Sequence, residues 1–163
     1  MILLYLGHFW NGCSASVNQP DYHCLEAIDG ITNVWSNGWA YNSVSPAWAI
    51  FELTEERRMN TLVIMNGQKR VDGHRLIIFR VTLKVDGEWI SLSGLKVQED
   101  PSAQIGGDGT VTLASGIEVL HLEFNTVSNV QSIRLDVTKT DASNNHVVVN
   151  EIIPKLEHSA GKL

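Results

Sequence analysis

Side chains able to do chemistry gather in three stretches. Residues 26–52, EAIDGITNVWSNGWAYNSVSPAWAIFE, hold three tryptophans, a tyrosine and an Asp-Gly turn, with no Lys or Arg. Within it, Trp39 and Tyr41 sit in SNGWAYNSVS, whose Asn, Gly and Ser are loop formers. A flat ring held among amides suits stacking on a ligand ring whose edges are polar. The other reading is an aromatic folded over the edge of the core. The second stretch, NGQKRVDGHR, offers Gln68, Lys69, Arg70, Asp72 and His74. Arg70 carries a planar fork for bidentate bonding beside Asp72, although a charged loop also solvates readily. The third, DASNNH, supplies Asn144, Asn145 and His146.

Catalytic signatures are missing. The chain has no G-x-S-x-G elbow, H-E-x-x-H pair, P-loop or dinucleotide glycine fingerprint. Its histidines, at positions 8, 23, 74, 121, 146 and 158, never fall four apart. Paired carboxylates for glycoside hydrolysis are defined by a separation that sequence does not show. A non-catalytic protein is expected.

The elements that position these groups read as strands. In HRLIIFRVTLKVDG, Ile77, Phe79, Val81, Leu83 and Val85 alternate with Arg80, Thr82 and Lys84, the period of a half-buried strand. EVLHLEF and SIRLDVTK repeat that period, while TLVIM and HVVVNEII are dense enough for strands covered on both faces. Turn signals VDGE, GGDG and DASNN separate the runs. FELTEERRMNTL has a charged centre that reads as a loop or a single turn. The opening MILLYLGHFW lacks a signal peptide's basic start and reads as a first strand. No run sustains a helical period, so the expected fold class is all-β, an antiparallel β-sandwich.

At 163 residues, with no linker or repeat, one domain over 1–163 is expected. No apolar run approaches the roughly 20 residues of a membrane span. Twelve basic against 18 acidic residues give a net charge of -6, which disfavours nucleic acid and acidic membranes as partners. Cys13 and Cys24 match no zinc spacing; they either close a loop in an exported protein or stay buried thiols.

Taken in order, CSASVNQPDYHCLEAIDG, a Trp-bearing segment, PAWAIFEL, NTLVIMNGQKRVDGHRLIIFRVTLKVDGEWISL and QSIRLDVTK followed by VVVNEI resemble the discoidin family. These are the coagulation factor V/VIII type C domains of the galactose-binding-like superfamily, which include many carbohydrate-binding modules. The resemblance runs from about Cys13 to Ile153.

It implies a jelly roll whose loops at one end bind a ligand, with AIDG and NEI meeting in space. It further implies a structural calcium held by the side chains of Asp29 and Glu151 and by carbonyls of Glu26, Ile31 and Asn150. Six to eight hard oxygens are what that ion takes. DGITNVW is one residue shorter than the family pattern, which leaves Thr32 or Asn33 for a further ligand. The other reading has Asp29 capping its own turn and Glu151 pairing with a surface cation. In the family context Trp48 and Trp35 read as packing residues, and Trp39, Tyr41 and the NGQKRVDGHR and DASNNH loops as the glycan site. The function implied is an extracellular, non-catalytic, lectin-like module of the kind appended to a larger extracellular protein. The alternative is a structural or protein-adhesion module of the same fold.

Overall fold

The structure is a computed structural model that describes residues 9–16, 23–30, 38–41, 46–67, 74–142 and 147–156. Among the described residues ten antiparallel strands build it: β1 (Trp10–Ala15), β2 (Trp39–Tyr41), β3 (Ala47–Asn66), β4 (Leu76–Val85), β5 (Glu88–Ser91), β6 (Lys96–Val97), β7 (Gln104–Ile105), β8 (Thr110–Thr112), β9 (Val119–Thr140) and β10 (Val147–Leu156). Among the described residues the helical content is a 3-10 turn at Cys24–Ala27, and no helix is long and apolar enough to cross a membrane.

Two strands are longer than their sequence pattern suggests. FELTEERRMNTL is not a loop but the middle of β3, and EVLHLEF and SIRLDVTK are the two halves of β9. In β3 the buried positions Ala47, Ala49, Phe51 and Leu53 are odd, whereas Leu62, Ile64 and Asn66 are even. In β9 Leu120, Leu122 and Phe124 are even, whereas Ile133, Leu135 and Val137 are odd. A regular strand keeps one parity, so each long strand must take up extra residues where it turns from one layer into the other. The register slips there, between Glu52 and Arg57 and again around Met59. Exposed charges in TEERR fit this corner, where Arg57 lies 5.2 Å over the Phe9 ring.

The corners divide the sheet into a sandwich. One layer joins β1, the first half of β3, the second half of β9 and β4, with β5 and the β8–β7 pair on β4. The other joins β2, β10, the second half of β3, the first half of β9 and β6. Between them Phe51, Met59, Phe79, Leu83, Leu122 and Leu135 are fully buried. Each such side chain contributes about 1.5–3 kcal/mol of burial.

Residues 98–103 strap the open side, from β6 in one layer to β7 in the other. Asp100 fixes the strap by accepting from the Ser102 hydroxyl at 2.7 Å and the Ala114 amide at 3.2 Å. Those bonds, the hydroxyl's first, hold its carboxyl below the usual range. The strap thereby supports residues 113–118.

Candidate functional site

Asn66 ends β3 and is fully buried. Its Nδ2 donates to the Ile117 carbonyl at 2.8 Å and to that of Glu118 at 3.3 Å, while its Oδ1 accepts from the Leu76 amide at 2.7 Å. Its own amide donates to Glu118, and the next amide, of Gly67, donates to Val148 at 2.9 Å. One side chain therefore ties the base of connection 67–75 to segment 113–118, beside the start of β10. A second clamp lies further out. The Arg75 amide donates to Asp141 Oδ1 at 2.8 Å and the Asp141 amide donates back to the Arg75 carbonyl at 3.0 Å. Gly116 fits between them: a Cβ there would lie 2.3 Å from Asp141 Oδ2 and 2.7 Å from Arg75 Cβ.

These clamps frame an open cleft of about 610 Å3, lined among others by Ile77, Ser115, Gly116, Lys139 and Asp141. That volume suits a small ligand. A second concavity of about 310 Å3 lies under the strap, on a floor that includes Leu95, Val97, Ala103 and Ile105. At its rim Gln98 and Glu123 bond each other.

The acidic turn lies against β10. Glu151 is fully buried; its Oε1 accepts from the Gly30 amide at 3.2 Å, and its Oε2 is buried without a hydrogen-bond partner among the described residues. Burial pushes its pKa up to about 8, with the Gly30 amide opposing and the Asp29 charge adding to the rise. Asp29 is exposed and Asn150 half-buried. An orphaned carboxylate oxygen beside a second carboxylate either keeps a proton or receives a cation, and its hard donors fit an ion such as calcium.

The disulfide Cys13–Cys24 pins β1 to the 3-10 turn that leads into Asp29. His23 Nδ1 lies near both sulfurs and accepts from the Leu25 amide at 3.2 Å, capping that turn. The bonded sulfurs have no thiolate to offer a metal. Glu26, in the same turn, accepts from the Gly38 amide at 3.4 Å.

Trp39 corrects the sequence reading. It lies in β2, not in a loop, and its ring is fully buried, so it has no face to present to a ligand. Gly38 makes this approach possible, since a Cβ there would sit 2.5 Å from the Val149 carbonyl oxygen. The backbone of Tyr41 pairs with Val147, beside the DASNNH connection. Trp48 is half-buried in β3 with the Arg134 guanidinium 5.0 Å over its ring, and Arg134 is forked onto Asp136 at 2.9 Å. His74 is half-buried with a φ of 66°. Gln68, Lys69, Arg70, Asp72, Asn144 and Asn145, like Ile31 and Asn33, lie outside the described residues. The structure thus brings Asp29 and Glu151 together. It also adds Asn66, Arg75, Gly116, Lys139 and Asp141, which sequence reading passed over because Asn-Gly and Asp-Ala-Ser resemble ordinary turns.

No protein-family profile and no curated protein sequence matches this chain. Solved structures do. A pectin-binding carbohydrate-binding module shares 20% identity over 92% of this chain and 93% of its own, with a TM-score of 0.64. The module CpGH89CBM32-5 from Clostridium perfringens, in complex with GalNAc-beta-1,3-galactose, shares 14% over 86% of this chain and 91% of its own, with a TM-score of 0.65. The larger protein SpGH29 shares 17% over 91% of this chain, with a TM-score of 0.65, but the chain spans 27% of its length. What is common at such identities is the fold, and the chain has the discoidin-like sandwich of these carbohydrate-binding modules.

Proposed function

We propose that the chain is a non-catalytic carbohydrate-binding module that takes a glycan at the loop end of the sandwich and is steadied by a structural calcium. The observation that carries the reading is the cradle: three segments clamped by Asn66 and by the Arg75–Asp141 pair around an open cleft of about 610 Å3. Residues 68–73 join Gly67 to His74, and 143–146 join Ala142 to Val147. Gln68, Lys69, Arg70, Asp72, Asn144 and Asn145 therefore belong to connections that leave from this end, and Tyr41 is paired with Val147, the residue that follows the second. In this reading they supply the fork and amides that bind hydroxyls. The fold shared with modules whose ligands are pectin and GalNAc-beta-1,3-galactose supports the class of ligand, not the sugar.

For calcium, the reading assigns the carboxylates of Asp29 and Glu151, carbonyls of Glu26, Ile31 and Asn150, and Asn33. The ion's part is to neutralise a buried acidic corner. The disulfide supports an oxidising, extracellular setting. The fraction of SpGH29 that the chain spans supports a module appended to a larger protein, where weak single-site binding gains from multivalency.

A glycan array followed by titration calorimetry tests the reading. Arg70→Ala and Asn144→Ala are expected to weaken the best glycan by roughly tenfold or more with unchanged melting temperature. Failure of every glycan to bind at millimolar concentration favours the structural or adhesion module.

A further inference from the structure

We infer that Cys13, His23 and Cys24 form a redox-gated metal site: when the disulfide is reduced, the two thiolates and the imidazole take a zinc ion. None of the three lines the cleft of the glycan reading. The two cysteines are 11 positions apart, which is no zinc pattern, but the fold brings a third donor to them. The ligand atoms of all three residues lie within 4.8 Å of one another. His23 Nδ1 is 3.6 Å from Cys24 Sγ and 4.0 Å from Cys13 Sγ. Tetrahedral zinc, with bonds of about 2.3 Å to sulfur and about 2.0 Å to nitrogen, sets such atoms roughly 3.6 Å apart. Nδ1 accepts from the Leu25 amide, so it carries the lone pair that a metal takes. Leu25 is exposed, and water replaces the imidazole on its amide when the metal arrives.

The scaffold of the cluster does not depend on the sulfur–sulfur bond. Cys13 is held by the β1–β3 ladder, opposite Phe51. Cys24 is fully buried in the core. Its turn is closed by the Glu26 amide on the His23 carbonyl at 3.0 Å and by the Ile28 amide on the Leu25 carbonyl at 3.2 Å. Reduction by a dithiol supplies two electrons and two protons: the bond between the sulfurs breaks, both cysteines become thiols, and the dithiol closes to its own disulfide. Zinc then displaces both thiol protons. The sulfurs must part to about 3.8 Å for this. Cys13, half-buried, can swing outward while Cys24 stays. His23 is exposed, so water completes the fourth position. The three side chains thus have two closures, a covalent bridge in an oxidising setting and an ion in a reducing one.

The test is anaerobic titration of the full chain, reduced with a phosphine and desalted, with cobalt(II) and then zinc, followed by absorbance and near-UV circular dichroism. One equivalent of cobalt is expected to give thiolate-to-cobalt charge transfer and the visible bands of a tetrahedral ion. One equivalent of zinc should bleach them and raise the melting temperature. The oxidised chain should give neither band. His23→Asn keeps an oxygen to cap the Leu25 amide but loses the nitrogen ligand. It should weaken zinc about a hundredfold, while the oxidised variant melts as the wild type does. Equal zinc affinity in His23→Asn overturns the three-ligand site. Cobalt bands in the oxidised chain put the ion elsewhere and overturn it too, as does a reduced chain that stays folded and takes up no metal. A near-UV signal that collapses on reduction and is not restored by zinc overturns it as well.

Discussion

Asn66 and Glu151 are both fully buried polar residues, and they are near neighbours on the β3–β10 ladder, where Asn66 is opposite Val149 and Met65 opposite Glu151. Their surroundings differ. Asn66 spends both ends of its amide on backbone groups of two segments, at Leu76 and at residues 117–118, whereas Glu151 has one oxygen bonded to Gly30 and the other without a partner among the described residues. A satisfied buried network rigidifies what it joins, while a half-satisfied one is destabilising until something completes it. The first therefore reads as cement for the cradle, and the second as a corner that a proton or a cation would complete.

Removing the cement is expected to have the largest effect. Asn66→Leu keeps approximate volume but strands the Leu76 amide and the Ile117 carbonyl, at a cost of about 3 kcal/mol or more. Urea unfolding should show this loss equally in calcium and in chelator. A loss below about 1 kcal/mol would mean that the two segments are held by something other than this side chain.

Completing the other site comes next. Calcium at about a hundred times its dissociation constant should stabilise the wild-type chain by ~2.7 kcal/mol, read as a higher melting temperature that excess chelator reverses. Glu151→Gln keeps the shape and the Gly30 bond but removes the charge, so its melting temperature should ignore both reagents. Calcium sensitivity that survives Glu151→Gln would move the ion elsewhere.

Without calcium the same contrast appears in pH. The Glu151 carboxyl titrates near 4.5 ordinarily and near 8 when folded, because burial first, and then the Asp29 charge, disfavour its ionised form against the Gly30 amide. Between those values the folded chain holds the extra proton. Stability in chelator should therefore fall as pH rises from about 4.5 to about 8, by at most ~1.4 kcal/mol per pH unit, and level off above. Glu151→Gln should remove this component, and calcium, which favours the ionised form, should stabilise more at pH 8 than at pH 5.

The sequence made some of this legible and not the rest, for physical reasons. Alternation along IIFRVTLKV marked β4, and Asp86-Gly87 marked its hairpin to β5, where both residues take positive φ. These are local signals. The continuity of β3 and β9 was hidden because a layer-crossing corner is exposed and charged, as a loop is. Trp39 was misplaced because its neighbours are polar. An edge strand of three residues is too short for a period, and the ring is buried by contacts that sequence separation conceals. Asp29 and Glu151, 122 positions apart, were brought together only through resemblance, since no local pattern links them. Asn66 was invisible because the partners of its side chain, Leu76 and residues 117–118, are backbone groups on two other segments.

Gly116→Ala offers the finest separation of the two regions. The position has an ordinary backbone conformation, so alanine brings no backbone strain, only a methyl in a filled space. Asp141 Oδ2, at 2.3 Å from that methyl, is a side-chain tip that can swing away, but Arg75 Cβ, at 2.7 Å, is tied to the backbone that Asp141 itself holds. The outer clamp must therefore open slightly while the inner one at Asn66 stays shut, at about 1–2 kcal/mol. The calcium response should be intact, and combining Gly116→Ala with Glu151→Gln should give the sum of the single losses to within about 0.5 kcal/mol. Coupling well beyond that would mean that the acidic corner and the cradle form one network, and that binding an ion at the first alters the shape of the second.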